Sequence, residues 1–478
     1  MTYCLAAGVT LRDEGDATYL VAPRPLRAVR INRALREVLH RLGRGEPVRP
    51  ESPGGPLERL AKKGFLEREA PAGPDSRELP TVSVVIPVMD RAGELRRCLS
   101  SLQRVRYPAA RLQVVVVDDG SRDDSAAVAE ELGATVVSSG GRGQGPAAAR
   151  NRGAAAAHGE LLAFIDSDCT ASPGWLIELV DRFRDREVAA VGGCVQGMHV
   201  ATRLDRYEAV MSSLSLGRRE RCGQQGDDTF YLPSCNLLVR RAAFRAAGGF
   251  RGGMQVGEDV DLTWRLRDLG WKIVYSPRGW VWHEHRNELG AFLRRRFQYG
   301  TSEAALHVLH PQRRKKIALP PLLTAAMVLC VCAVLLPSLW ALAGALSCLL
   351  LDGRMAVRRL RRCGLPLEAA TVWEARLRAL GSLVYYVTQH AVRYYGLPLL
   401  AVSVLWPQLG LATAVVLLGV VAVERRVRGS ALGLVSFTTF FLAEHLAYGA
   451  GVFAGCLRQK RFGSYCPILY ARMDMSFG

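Results

Sequence analysis

Two acidic stretches stand at the ends of apolar runs, and carboxylates in that position are the first candidates for chemistry. The stretch VVVVDDGS at 114–121 leads four valines into Asp118, Asp119 and a glycine turn. In an open α/β sheet, ligands bind beyond the carboxyl ends of the strands. This pair, with Asp90 on the same edge, could therefore grip the base and ribose of a nucleotide. Asp-Gly is also an ordinary turn pair, so a purely local role competes. The second stretch, LLAFIDSDC at 161–169, delivers Asp166 and Asp168 from another apolar run. Two carboxylates one residue apart can share a hard divalent cation, Mg2+ or Mn2+, that also grips a diphosphate. A D-x-D triplet is common, and Asp259-Val260-Asp261 is another; the strand-end position singles out the first.

Between these stretches lies GGRGQGPAAARNRG at 140–153, a Gly-rich entry to an Ala-rich helix. Glycines let backbone approach a phosphate, and a helix N-terminus favours anions. The stretch matches neither the P-loop pattern nor the dinucleotide fingerprint, which disfavours a kinase or a dehydrogenase. Arg150 within it could contact a donor or lie on a solvated face. Further on, VGEDVDLTWR at 256–265 places an acidic cluster at the head of an amphipathic helix. Such residues are ordinary dipole partners, yet Asp259 could also act as general base for an attacking hydroxyl. His283 and His285, in WVWHEHR, could add a metal ligand or sit at the surface of a strand end.

The elements that must position these residues alternate in type. Apolar strands at 82–88, 113–117, 134–138 and 161–165 are separated by helical stretches at 93–103, 124–132 and 146–157. This is the signature of a parallel, doubly wound sheet, and the continuous Val/Ile runs imply strands covered on both faces. Upstream, short strands at 8–12, 18–21 and 27–31 precede Asn32, a good N-cap for a helix at 33–42. A second helix follows at 56–63, and the Pro-, Gly- and charge-rich 69–80 reads as a linker. Downstream, apolar stretches at 317–351, 397–423 and 431–457 each exceed the ~20 residues needed to cross a bilayer.

At 478 residues the chain exceeds one core. Its net charge of +19 concentrates at 313–316, 358–362, 425–428 and 458–461, all bordering the apolar stretches. That placement points to the cytoplasmic face of a cell membrane rather than to nucleic acid, for which no module is present. Because every flank is basic, a simple alternating topology is frustrated. Interfacial or re-entrant helices, or buried helices of a soluble domain, are the alternatives. The 12 cysteines show no paired C-x-x-C spacing and fit a reducing cytoplasm; no cleaved signal peptide is expected.

DDGS, DSD and GEDVDLTWRL, in this order and with PSCNLLVRRAAFRAAGGF between the last two, resemble glycosyltransferase family two over 82–300. The resemblance implies the GT-A fold, a Rossmann-like, mostly parallel sheet. It implies that Asp118 and Asp119 bind the uridine of a UDP-sugar, that Asp166 and Asp168 meet the metal-diphosphate, and that Asp259 is the base of an inverting displacement. Arg294 to Arg296, before Phe297-Gln298-Tyr299, resemble only loosely the Q-x-x-R-W segment of processive synthases. RPLRAVRINRALREVL and KKGFLERE resemble a small winged-helix peptide-recognition domain. The whole architecture is similar to the mycofactocin-system glycosyltransferases, which implies a peptide-derived redox-cofactor precursor as acceptor, UDP-glucose as donor and a β-1,4-linked product. A lipid or cell-envelope polysaccharide acceptor, and an inactive peptide-binding scaffold, stand as alternatives.

The expected organisation is a winged-helix-like unit at 1–68, a linker at 69–80, a transferase domain at 81–305 and a helical membrane-associated region at 306–478. The expected site comprises Asp259 as catalytic base, Asp90, Asp118, Asp119, Arg150 and Asp166 toward the donor, and Asp168 and His283 on the metal.

Overall fold

The computed structural model describes residues 2–6, 9–14, 17–23, 26–43, 55–69, 79–224, 228–362 and 368–471. Most of the expected linker, at 70–78, lies outside them.

The N-terminal elements are β1 (Thr2–Leu5), β2 (Thr10–Glu14), β3 (Ala17–Pro23), β4 (Leu26–Ile31), α1 (Arg33–Gly43), α2 (Pro56–Lys62) and β5 (Leu66–Glu69). Strands β2, β3 and β4 form an antiparallel meander, and β1 pairs with β5. Asn32 caps α1 as expected, its Oδ1 accepting from the Leu35 amide at 2.9 Å. Alternation along β3 turns Leu20 into the core with Leu39 and Phe65. Tyr19 and Val21, on the opposite face, pack against Ala356, Leu360 and Val372 of the C-terminal helices.

The central sheet begins with the expected alternation: β6 (Val82–Val88), α3 (Ala92–Leu102), β7 (Leu112–Asp118), α4 (Ser125–Glu131), β8 (Thr135–Ser138), α5 (Pro146–Ala156) and β9 (Leu161–Ile165). These four strands are mutually parallel, with Val88 opposite Asp118. Apolar clusters cover both faces of the sheet. The chain continues through β10 (Cys169–Ala171), α6 (Trp175–Val180), β11 (Val188–Gly192), β12 (Val195–Gly197), α7 (Arg203–Met211) and β13 (Arg221–Gly223). Then follow β14 (Asn236–Arg240), α8 (Arg241–Ala246), α9 (Glu258–Asp268), β15 (Lys272–Tyr275), β16 (Val281–His283) and α10 (Leu289–Leu309). The eight-stranded order is β13-β15-β11-β14-β9-β6-β7-β8, with β14 antiparallel to both neighbours. This mixed, mostly parallel α/β sheet is a GT-A-like fold. A small sheet, β10-β16-β12, lies beside it.

The tail comprises β17 (Lys316–Ala318), α11 (Pro321–Leu335), α12 (Leu339–Arg362), α13 (Ala369–Leu405), α14 (Pro407–Arg428), α15 (Leu434–Gln459) and β18 (Ile468–Tyr470). The three expected apolar stretches thus become five helices. The first breaks around Pro337, and the second at Trp406, because Pro407 lacks the amide to continue α13 and starts α14 instead. Among the described residues, α12 and α15 have the length and apolar content to cross a bilayer. Helix α15 seats directly on α10. A Cβ at Gly451 would lie 2.0 Å from the Phe297 carbonyl oxygen, and one at Gly300 2.1 Å from that of Tyr448.

Candidate active site

A cleft of about 900 Å³ opens at the carboxyl ends of β6, β7 and β9 and is closed on its far side by α9, α10 and the tail. At one end, Asp119 is buried, 6% exposed. Its Oδ1 accepts from the Gln144 amide at 2.9 Å and Ser139 Oγ at 2.6 Å, and its Oδ2 from the Gly145 amide at 2.9 Å. Asp119 therefore shapes the Gly-rich loop that starts α5 while lining the cleft.

Asp118 and Asp90 lie outside the cleft wall. Asp118 Oδ1 accepts from the Ser121 amide at 2.9 Å, closing its own turn. Gly120 is obligatory in that turn: its φ is +79°, and a Cβ would lie 2.7 Å from Arg142 Cα. Asp90 accepts from the Arg122 amide at 2.7 Å and from Arg142 Nη2 at 2.6 Å, and these bonds hold its pKa below the ordinary value. Both thus fasten loops at the cleft's rim.

Arg150 is 3% exposed, not solvated. Its fork bridges Asp166 Oδ1 at 2.6 Å and Glu258 Oε1 at 2.7 Å, tying α5, the end of β9 and the head of α9 together. Burial pushes the Asp166 pKa up, but the charge and hydrogen bond of Arg150 outweigh it and hold the carboxyl below the usual range.

Asp168 meets His283 because β10 and β16 pair antiparallel with Cys169 opposite His283. Asp168 Oδ1 is 3.5 Å from His283 Nε2, while Asp168 Oδ2 accepts from Arg91 Nη1 at 2.5 Å. Asp168, Cys169 and His283 offer ligand atoms within 4.8 Å of one another, and His283 Nδ1 is buried without a hydrogen-bond partner. Burial raises the Cys169 thiol well above its ordinary pKa, so it stays protonated and leaves a carboxylate and an imidazole. That donor set and the orphaned ring nitrogen fit a divalent cation such as Mn2+ or Mg2+. His285 turns away toward Glu208, 3.8 Å from its Oε2, and burial lowers its pKa to about 3.

Asp259, in the first turn of α9, lines the cleft half-buried. It accepts from the Ser234 amide at 3.1 Å and the Val260 amide at 2.8 Å. Burial, and then the charge of Glu258, push its pKa up to about 7. A carboxyl tuned to that value suits general-base work at neutral pH.

Some cleft residues carried no readable signal in the sequence. Arg286 and Arg295 line it beside Asp166 and Asp168, yet among the described residues neither ion-pairs with a carboxylate. Burial, Arg295 and Arg91 lower the Arg286 pKa. Cations crowded together in this way await an anion. The basic run at 294–296 is visible in the sequence, but only the fold separates its members: Arg295 faces the cleft with its guanidinium 5.2 Å from the Tyr299 ring centroid, while Arg296 is buried between Glu208 and Glu444. The tail also contributes Arg393, Glu444 and Tyr448 to the wall.

Comparison with known proteins agrees with this geometry. The model of the family described as glycosyl transferase family 2 matches residues 83–248. The pre-mycofactocin glycosyltransferase of Mycobacterium tuberculosis is 34% identical over an alignment of 480 positions, covering 96% of each chain. The glycosyltransferase AglE of Haloferax volcanii is 29% identical over 240 residues, 48% of this chain and 75% of its own. Among solved structures, a mannosyltransferase from Pyrobaculum calidifontis in complex with GDP-Man and Mn2+ aligns with a TM-score of 0.40 and 21% identity, covering 68% of this chain and 93% of that one. The likeness to the mycobacterial enzyme runs through the N-terminal unit, the sheet and the tail alike, and the chain is accordingly a glycosyltransferase that belongs to family 2, in the group of the pre-mycofactocin glycosyltransferase.

Proposed function

We propose that the cleft transfers glucose from UDP-glucose, with inversion at the anomeric carbon, to a hydroxyl of a peptide-derived redox-cofactor precursor of the pre-mycofactocin type, and extends it as a β-1,4-linked chain. The observation that carries this reading is the convergence of Asp119, Asp166, Asp168, His283 and Asp259 on one cleft. The acceptor and donor identities draw on the full-length likeness to the mycobacterial enzyme.

In this reading Asp119 and the loop it organises receive the nucleoside, with Asp90 and Asp118 holding the rim. Asp168 and His283 would hold a divalent cation, which when bound neutralises diphosphate charge and eases departure of UDP. Arg286 and Arg295 supply further positive charge to the diphosphate, and Arg150 keeps Asp166 and the head of α9 in place. Asp259 takes the proton of the acceptor hydroxyl as its oxygen attacks the anomeric carbon from the face opposite the diphosphate. The bond from that carbon to the diphosphate oxygen breaks, and UDP leaves with the electron pair.

The N-terminal unit serves as the peptide-recognition module, and the tail rests on the cytoplasmic face of the membrane. The exposed apolar side chains of the tail, Trp340 and Val404 among them, favour a second reading with a lipid or cell-envelope acceptor. UDP release from UDP-glucose with Mn2+, compared among wild type, Asp168→Ala and Asp259→Asn, tests the enzyme. Both variants should lose most transfer, and unchanged rates would refute the assignment.

A further inference from the structure

The cleft does not end at the candidate base. Past Asp259 it runs into a polar throat where Glu303 accepts from Lys315 Nζ at 2.9 Å, from the Tyr394 hydroxyl at 2.8 Å and from the Tyr448 hydroxyl. The Arg393 guanidinium lies 3.7 Å from the Tyr448 ring centroid. Arg393 and Cys466 line this throat and also line a second cavity of about 500 Å³ between α13, α15 and the segment after α15. Tyr394, Tyr395, Leu446, Phe453, Phe462 and Tyr465 surround that cavity.

The character of the second cavity differs from that of the throat. Its tyrosine hydroxyls are engaged elsewhere: Tyr394 bonds Glu303, and Tyr395 donates to the Tyr465 carbonyl oxygen at 2.8 Å. What remains is ring carbon and aliphatic surface. The rings meet edge to face, Tyr394 to Tyr465 at 5.9 Å and Tyr395 to Tyr465 at 5.7 Å, which is the spacing at which aromatic groups receive another ring. A cavity of this size encloses a compact molecule rather than a long chain.

We infer that the second cavity is an acceptor subsite for a compact, ring-bearing apolar group, whose hydroxylated end lies in the throat and reaches toward Asp259. The inference rests on the transferase reading of the cleft and adds to it the chemical class of the acceptor. Lipid acceptors, with long flexible chains, are the competing occupants.

The test uses the full-length protein in lipid nanodiscs with UDP-glucose, and phenyl, hexyl and methyl β-glucosides as acceptors. Burying a phenyl ring in such a site lowers KM at least about tenfold relative to the methyl glucoside. Phe462→Glu places a charge at the cavity's edge, in a segment outside the helices, and should abolish that tenfold ratio; Phe462→Leu should keep most of it. Equal KM values for phenyl and methyl glucosides, or a ratio that survives Phe462→Glu, would overturn the inference. A hexyl glucoside better than the phenyl one would overturn it in favour of a lipid. Calorimetric binding of phenyl glucoside, read without turnover, separates the two levels of the argument. Binding that is lost in Phe462→Glu supports the subsite even if UDP release fails, and that failure counts against the transferase reading alone. Absence of binding to wild type counts against the subsite.

Discussion

Replacing Arg150 tests the architecture beneath the candidate base. Arg150→Met leaves Asp166 and Glu258 facing each other without the guanidinium that now bridges them at 2.6 and 2.7 Å. Breaking a buried ion pair from one side costs about 3–5 kcal/mol, because the remaining charge is stranded. For a domain of this size each kcal/mol shifts Tm by about 2–4 °C, so the variant should melt about 6–20 °C lower. Arg150→Lys keeps the charge but not the fork and should recover roughly half of the loss. A second effect is independent of stability. The charge of Arg150 helps hold the Asp259 pKa down, so its removal should move the acidic limb of the pH–rate profile upward from about 7. Scanning fluorimetry and UDP release, the latter from about pH 5.5 to about 9, read the two effects separately. A Tm within about 2 °C of wild type, less than the shift expected from 1 kcal/mol, together with an unmoved limb would refute the bridging role.

Further predictions concern neighbouring parts. In wild type the base must be deprotonated, so kcat should fall about tenfold for each pH unit below about 7 and level off above it; a flat profile down to about pH 5.5 would remove Asp259 from that role. Arg295→Ala and Arg286→Ala should each raise the KM for UDP-glucose about tenfold, as expected for a lost charged hydrogen bond, with melting temperature little changed. Gly451→Ala would push a methyl into the Phe297 carbonyl and should lower both Tm and activity, whereas Gly419→Ala, on an exposed stretch of α14 with open space around it, should be neutral or slightly stabilising in thermal melts.

The parts of the site legible in sequence are those fixed by local periodicity. An apolar run that ends in carboxylates announces a strand and its functional end, and this alone gathers Asp119, Asp166 and Asp168 at one sheet edge. Local chemistry does not divide labour within a pair. Asp118 and Asp119 are identical in type, and only the turn geometry decides that Asp118 closes the turn while Asp119 reaches the loop. Arg150 illustrates the same limit, since burial between two carboxylates depends on Glu258, 108 residues away. Helix α13 is hard to read below residue 397 because arginines, glutamate and tyrosines interrupt its apolar pattern. The antiparallel strand β14 is hidden in the same way, because the stretch that contains it lacks turn signals to bound it. Arg286 has no local signal, because its neighbours Arg91 and Arg295 come from distant elements.

The glycine seam between α10 and α15 bears on how this protein can be handled. Main chain rests on main chain there, leaving no slack for the two helices to part without disturbing Tyr299 and Arg295 on the other side of α10. Trimming the chain after α10 to gain solubility would bare that seam and strip Arg393, Glu444 and Tyr448 from the chamber, yielding a fragment with a donor half and no complete vessel for chemistry. Purification with the tail retained, in bicelles or nanodiscs, is the course that the packing recommends.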